Sequence, residues 1–281
     1  MRTQRLLRSV VRPSPPADCD AAPPLFFHHI AKTGGTSFVR AMRTMVPRAL
    51  QASENGDLSA AFVQRLTAEG LKPGQFIYGH PGARAALPLR GKCCMTVLLR
   101  EPREQAISNY LWILRDWRLP DHAAAKAGDF RAFLKARPYF AIFQTASLHV
   151  GVEQRPIERA EDLIDRLPDL IDYLGEFELI GTTETEEALF LRACRILQLA
   201  DPPRFPHHRK SAVSAARRQE MREQYEDLEH DPALGALIRA EQALYLEART
   251  LAALETAAEP TDRAPASRFM LNASLGRHGR G

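Results

Sequence analysis

Two short segments carry side chains able to bind a phosphate or sulfate group. In the first, an apolar run at 25–30 leads to Lys32, which is followed by Thr33, Gly34, Gly35, Thr36 and Ser37. Glycines let backbone N–H groups approach an anion closely, and a helix starting here adds unpaired N–H donors. Lys32 precedes the glycines, whereas the lysine of a Walker A loop follows them. The pattern predicts an anion-binding loop, and the alternative is a plain glycine turn with Lys32 on the surface.

The second segment joins an apolar run at 96–99 to Arg100 and then to Pro102, which suits the first turn of a helix. An arginine at the carboxyl end of a parallel strand points into the crevice where α/β folds bind ligands. Arg100, Glu104 and Ser108 share one face by their i, i+4 spacing. Arg100 and Ser108 are therefore placed to grip one phosphate. The alternative is a salt bridge between Arg100 and Glu104 in a surface turn.

The elements that position these residues follow from the apolar pattern. Strands are predicted at 25–30, 75–78, 96–99 and 178–181. Helices are predicted at 37–46, 102–117, 130–136, 140–149, 157–174, 184–199, 212–229 and 232–256. Strands separated by helices pair in parallel, so we expect a three-layer α/β domain with a small sheet and many helices.

Charge is unevenly distributed along the 281 residues, which carry a net charge of +4. Residues 1–24 and residues 257–281 each contribute +2, so residues 25–256 are neutral overall. A nucleic-acid partner is therefore not expected, because the basic excess lies outside the central segment. The proline-rich and low-periodicity tails are predicted to be disordered, around one folded domain at 25–256.

Cysteine spacing and hydropathy predict the environment of the chain. The four cysteines form no CxxC pair, so we expect free thiols, no zinc and a reducing compartment. No apolar stretch approaches the ~18 residues of a membrane span. A cytoplasmic location is the resulting expectation, while the oligomeric state stays open.

Together the two segments resemble a known family. The stretch His29-Ile30-Ala31-Lys32-Thr33-Gly34-Gly35-Thr36-Ser37 and the stretch from Leu99 to Tyr110 are similar to the carbohydrate-type sulfotransferases, the relatives of heparan sulfate 2-O-sulfotransferase and of many bacterial homologues. Ala31 replaces a proline of the family pattern, Glu101 an aspartate and Gln105 an arginine.

Weaker likenesses follow in the order of the family and extend the resemblance over about 26–250. They are Tyr78-Gly79-His80, Phe143-Gln144-Thr145, Ile180 to Glu184, Pro206 to Ser211 and Glu241 to Tyr245. Tyr78 stands where enzymes acting on heparan sulfate have a first histidine, and Arg209 where an asparagine is usual.

The resemblance implies a P-loop-like fold and a sulfotransferase that uses 3′-phosphoadenosine 5′-phosphosulfate (PAPS) without a metal. The acceptor it implies is a hydroxyl of a carbohydrate or glycolipid. Lys32 would stabilise the leaving phosphate and His80 would act as the base. The implied donor-binding residues are Lys32, Thr33, Gly34, Gly35, Thr36, Ser37, Arg100, Ser108, Arg209 and Lys210.

Other interpretations of the same residues stay open. A nucleotide-dependent phosphotransferase or hydrolase could use the same glycine turn, and a non-catalytic anion-binding or nucleic-acid-binding protein is a third class. His28 and His29 are expected to be framework residues, and His80 could be structural too. The aromatic side chains Trp112, Trp117, Tyr110 and Tyr139 could form a carbohydrate-stacking surface or belong to the core.

Overall fold

The structure, a computed structural model, describes residues 21–53, 59–150, 160–206 and 213–258. Its centre is a parallel five-stranded sheet in the order β2-β3-β1-β4-β5. The strands are β1 (Leu25–His28), β2 (Gln51–Ser53), β3 (Phe76–Gly79), β4 (Cys94–Leu99) and β5 (Leu179–Thr182). The four predicted strands are confirmed. Sequence reasoning missed β2, a three-residue edge strand that is only half-buried and has no apolar run.

Eleven α-helices occur in the described ranges. They are α1 (Gly35–Met45), α2 (Ser59–Glu69), α3 (Ala83–Ala86), α4 (Pro102–Ile113), α5 (His122–Lys126), α6 (Phe130–Ala136), α7 (Phe143–Val150), α8 (Asp162–Leu174), α9 (Glu186–Ile196), α10 (Ala215–Leu228) and α11 (Gly235–Ala258). The eight predicted helices are all present, although 102–117 ends early, at Ile113. Helices α2, α3 and α5 were not predicted.

Both faces of the sheet are buried, which explains why its strands are continuous apolar runs. On one face, Phe26 and Val97 pack in the core that α4, α7, α8 and α11 share. On the other face, Phe27 and Leu98 pack against α1 and α9. Helices therefore cover the sheet on both sides, and the expected three-layer α/β class is confirmed.

Cysteine burial agrees with the expectation of free thiols. Cys93, Cys94 and Cys194 are buried and free, and burial raises the pKa of Cys93 to about 12 and that of Cys194 to about 11. Thiols with such pKa values are poor nucleophiles at neutral pH. Cys19 and most of both predicted tails lie outside the described residues. No helix of the described ranges has the length and apolar character needed to cross a membrane.

Candidate active site

The carboxyl ends of the central strands bring the predicted site residues to one edge of the sheet. The loop containing Lys32 follows β1, His80 follows β3 and Arg100 follows β4. From β1 the chain moves to β2 on one side, whereas from β4 it moves to β5 on the other. The crevice between β1 and β4 is thus the switch point of the sheet, where open α/β folds bind ligands.

The loop between β1 and α1 has an unusual backbone that only certain residues accept. Gly34 has a φ of 94° and Lys32 a φ of 67°, both in the left-handed region. The Ser37 N–H donates to the Gly34 carbonyl at 2.9 Å, which closes the first turn. The Thr33 hydroxyl donates to the Ile30 carbonyl at 2.9 Å and is fully buried, so it braces the loop.

Space around the two glycines is as restrictive as their backbone angles. A Cβ atom on Gly34 would lie 2.7 Å from Glu186 Oε2 and 3.3 Å from Leu98 Cδ2. A Cβ on Gly35 would lie 2.3 Å from His29 Cδ2. The loop therefore packs directly on the His29 ring, and both positions require glycine.

The start of α1 has features that favour an anion. Gly34 is the N-cap residue, and the first turn contains no acidic side chain. The first amides of a helix have no intrahelical acceptor, and the helix dipole adds partial positive charge there. The Thr36 side chain is exposed and the Ser37 side chain is buried. This end of the helix can therefore hold a phosphate, with Thr36 at its open side.

Lys32 lies beside an aromatic ring and two further cations. Its Nζ is 5.3 Å from the centroid of the Trp112 ring, on α4. Burial lowers the pKa of Lys32 from its ordinary value, and the positive charges of Arg100 and Arg115 lower it further. Three cations gathered at one place produce a local potential that can stabilise a polyanion.

Arg100 is joined directly to the loop of Lys32. Its Nη1 donates to the Lys32 carbonyl at 3.3 Å, across the crevice between β1 and β4. Gln105, which replaces an arginine of the family pattern, donates from Nε2 to the Ala31 carbonyl at 3.3 Å. Arg100, just before α4, and Gln105, in its first turn, thus hold the loop of Lys32 against the end of β4.

Arg100 shares the carboxylate of Glu104 with two other arginines, which sequence reasoning missed. Glu104 lies 3.8 Å from Arg100, 2.6 Å from Arg218 and 2.7 Å from Arg222. The pair of Arg100 and Glu104, which the sequence analysis gave as the alternative to phosphate binding, is present, and its distance is the longest of the three. The Glu104 carboxylate thus faces three guanidinium groups, while the charges of Glu101 and Glu184 also act on Arg100. Ser108, half-buried, follows one turn after Glu104.

Arg218 and Arg222 carry a signal that could have been used. They are spaced i, i+4 on the predicted helix at 212–229, so they share one face. Nothing in the sequence indicates which element that face packs against. Only the contact of α10 with α4 shows that it meets Glu104.

A buried polar network holds the backbone of Arg100 in place. The Arg100 N–H donates to Gln144 Oε1 at 2.8 Å, and Gln144 Nε2 donates to the Arg100 carbonyl at 2.9 Å. Glu241 on α11 accepts from the Gln144 amide at 2.7 Å and from the Thr145 hydroxyl at 2.6 Å. Two of the segments with weaker likeness to the family, around Gln144 and around Glu241, are therefore in contact.

A second pair links the same helix to the end of β5. The Tyr245 hydroxyl donates to Glu184 Oε2 at 3.1 Å. Burial and the Glu184 charge raise the pKa of Tyr245 to about 12, so the phenol stays protonated as the donor. The segments around Glu184 and Tyr245, which also resemble the family, are thus in contact as well.

His80 is oriented by the backbone of the strand next to its own. Its Nδ1 is hydrogen-bonded to the His29 carbonyl, and its ring stacks on the His29 ring with centroids 4.6 Å apart. A carbonyl oxygen only accepts, so Nδ1 carries a proton, and Nε2 is the nitrogen that holds the lone pair when the ring is neutral. Burial, helped by the charge of His80, lowers the pKa of His28 and of His29 to about 3. These two are neutral framework residues.

The remaining candidates divide between the surface, the core and the undescribed part of the chain. Trp112 and Trp117 are exposed, whereas Tyr110 is buried against Phe130 and Phe133. Tyr139 is half-buried and packs on Phe140 and Phe143. The basic loop with Arg209 and Lys210 lies outside the described residues. Among those that are described, no group of three or more His, Cys, Asp or Glu could hold a metal ion.

Comparison with known proteins gives structural neighbours only. No protein-family model and no curated protein matches the chain. A sulfotransferase from Alicyclobacillus acidocaldarius matches with a TM-score of 0.42 and 16% identity, over 78% of this chain and 96% of its own. Mouse sulfotransferase SULT7A1, solved in complex with PAP, matches with a TM-score of 0.31 and 14% identity, over 79% of this chain and 90% of its own.

Proposed function

We propose that the protein is a sulfotransferase that takes its sulfuryl group from PAPS. The observation that carries the proposal is the contact of Arg100 with the Lys32 carbonyl at the switch point. This contact supports the proposal because it brings the start of α1 and the arginines around Glu104 to one crevice, where each would hold an anion. A nucleotide with a 5′-phosphosulfate and a separate 3′-phosphate needs two such sites.

The donor would be divided between these two sites. The backbone of Gly34, Gly35 and Thr36, together with Ser37, would hold the 5′-phosphate. Thr33 supports this loop from below, since its hydroxyl is used on Ile30. Arg100 and Ser108 would bind the 3′-phosphate with charge-assisted hydrogen bonds. From the family resemblance we add Arg209 and Lys210 to the residues that would bind the nucleotide.

Lys32 and His80 would share the chemical step. The acceptor oxygen forms a bond to sulfur while the bond from sulfur to the 5′-phosphate oxygen breaks, in an in-line geometry like that of phosphoryl transfer. The leaving oxygen keeps the electron pair, and the Lys32 ammonium stabilises the developing charge. His80 Nε2 would take the proton of the acceptor hydroxyl, because Nδ1 is bound to the His29 carbonyl. We propose a carbohydrate hydroxyl as the acceptor.

Nucleotide selectivity tests the donor assignment. We expect calorimetry to show tighter binding of 3′,5′-ADP (PAP) than of 5′-AMP or of ADP with Mg²⁺. Arg100→Ala should erase most of that preference, about 10-fold to 150-fold for a charged hydrogen bond. Arg103→Ala is the matched control, because Arg103 begins the same helix but pairs with Glu226. Equal affinity of the parent for PAP and 5′-AMP contradicts the proposal, and preference for ADP with Mg²⁺ supports a phosphotransferase or hydrolase.

A further inference from the structure

Both tryptophans of the chain present part of the indole to solvent. The sequence contains two, Trp112 and Trp117, with exposed fractions of 38% and 78%. Tryptophan is buried for most of its surface in folded proteins, and exposed indoles are enriched where another molecule binds. Of the two, Trp112 is the one that touches the candidate active site, through Lys32.

Helix α4 connects Trp112 to the donor site. Glu104, Ser108 and Trp112 follow one another at i, i+4 spacing, so they lie along one face of the helix. The first two residues belong to the proposed 3′-phosphate site, and the third reaches Lys32. A molecule resting on the Trp112 indole is therefore next to the ammonium group that would assist sulfuryl transfer.

The surroundings of this indole are open and polar. The neighbouring Arg115 is exposed, and Asp116 is paired with the exposed Arg118 at 2.7 Å. A phenolic acceptor needs an enclosed apolar pocket to bury its ring. A sugar instead presents an apolar C–H face to an aromatic ring, while its hydroxyl groups bond to charged side chains around it. An exposed indole with charged neighbours matches the sugar.

We infer that Trp112 is the platform on which a sugar ring of the acceptor stacks, with one hydroxyl directed to Lys32 and His80. The sheet order supports this arrangement, because His80 follows β3 and Trp112 lies on the helix after β4, on either side of β1. The inference rests on the proposed function and names the residue that selects a carbohydrate for it. In the structure the Lys32 ammonium lies over the indole, and donor phosphates would draw it away.

Indole N–H signals in ¹H–¹⁵N correlation spectra test the inference directly. The chain has two tryptophans, so Trp112→Phe and Trp117→Phe assign the two signals. The protein is saturated with PAP and titrated with maltotetraose, with a tetrasaccharide of glucuronic acid and N-acetylglucosamine, and with p-cresol. We expect at least one sugar to shift the Trp112 signal more than the Trp117 signal. Trp112→Ala should lower the affinity for that sugar about tenfold, and Trp117→Ala should leave it unchanged.

Each alternative result has a separate meaning. If neither sugar moves the Trp112 signal at millimolar concentration while PAP still binds in preference to 5′-AMP, the platform is wrong and the proposed donor remains. A shift of Trp112 with p-cresol alone also overturns the inference, in favour of a phenolic acceptor. If PAP shows no preference over 5′-AMP, the proposed function itself fails before any sugar is added.

Discussion

The side chain of Gln144 pairs with the backbone of Arg100 in the way that a neighbouring strand would. It accepts from the Arg100 N–H at 2.8 Å and donates to the Arg100 carbonyl at 2.9 Å. Gln144 is fully buried, and its backbone N–H donates to the buried carboxylate of Glu241. The residue that follows β4 is therefore held in place by α7 and α11.

Removing this pair should affect nucleotide selectivity as well as stability. Gln144→Met keeps the volume but leaves two buried backbone groups without partners, at a cost of about 1–3 kcal/mol each. We expect a lower free energy of unfolding and a smaller preference for PAP over 5′-AMP, measured by denaturation and calorimetry. Gln64→Met, at an exposed position of α2, is the control. Unchanged selectivity in Gln144→Met would limit Gln144 to a structural role.

The close packing of Gly35 on His29 makes a second prediction. A Cβ at position 35 would lie 2.3 Å from His29 Cδ2, so Gly35→Ala must displace the ring or the loop. Overpacking of this kind costs about 1–3 kcal/mol, and PAP affinity should fall with the loop geometry. Gly91→Ala is the control for PAP affinity. Gly91 has open space around it, but its φ of 68° strains any side chain, so this variant should lose stability and keep PAP affinity.

A double-mutant cycle identifies the cause of that effect. His29→Ala removes the ring that a Cβ at position 35 would meet, so it should restore part of the PAP affinity that Gly35→Ala loses. Strictly additive losses would show that the ring is not the obstacle. Phe27 would then be the next candidate, at 3.2 Å from the same Cβ position.

Stability should fall as the pH falls, because His28 is buried as a neutral ring. Its pKa is lowered to about 3 in the folded state, chiefly by burial, from 6.5. Below pH 6.5 the unfolded chain binds a proton on this ring and the folded protein does not. The free energy of unfolding is therefore highest above pH 6.5 and decreases as the pH falls toward 3. Between pH 7 and pH 5 this ring should remove on the order of 2 kcal/mol.

The variant that tests this pH dependence is His28→Phe. The ring lies among Tyr173 and Phe177, so a phenyl group fits chemically and does not titrate. Urea denaturation at pH 7 and pH 5 should show a smaller difference for His28→Phe than for the parent, while His230→Asn, at an exposed site, should behave like the parent. An identical difference in all three proteins would place the titration elsewhere.

Substitutions of Lys32 and of His80 should have different kinetic effects if both residues act in sulfuryl transfer. Lys32→Ala should depress kcat strongly and PAP affinity less, because the charge it stabilises appears mainly in the transition state. His80→Asn keeps a donor toward the His29 carbonyl but removes the base. It should lower turnover by roughly 10²-fold to 10⁴-fold with PAP affinity unchanged. Near-normal turnover of His80→Asn would transfer the role of base to another residue, with Tyr78 tested next.

The sequence alone determined the local parts of this protein. Apolar runs of strand length, glycines before a helix and a proline at a helix start are short-range signals. They were enough for β1, β3, β4 and β5, for the loop at Lys32 and for the helix face with Glu104 and Ser108. The family resemblance added the roles of these residues as hypotheses, which the predicted variants now test.

Only the tertiary structure decided which of these parts meet. The strand order brings the end of β4 beside the end of β1, and so Arg100 reaches the Lys32 carbonyl. Gln144 and Glu241 are distant in the chain from Arg100 and become its support through buried hydrogen bonds. Such contacts depend on how helices pack across the sheet, and residue spacing within one segment contains no information about that packing.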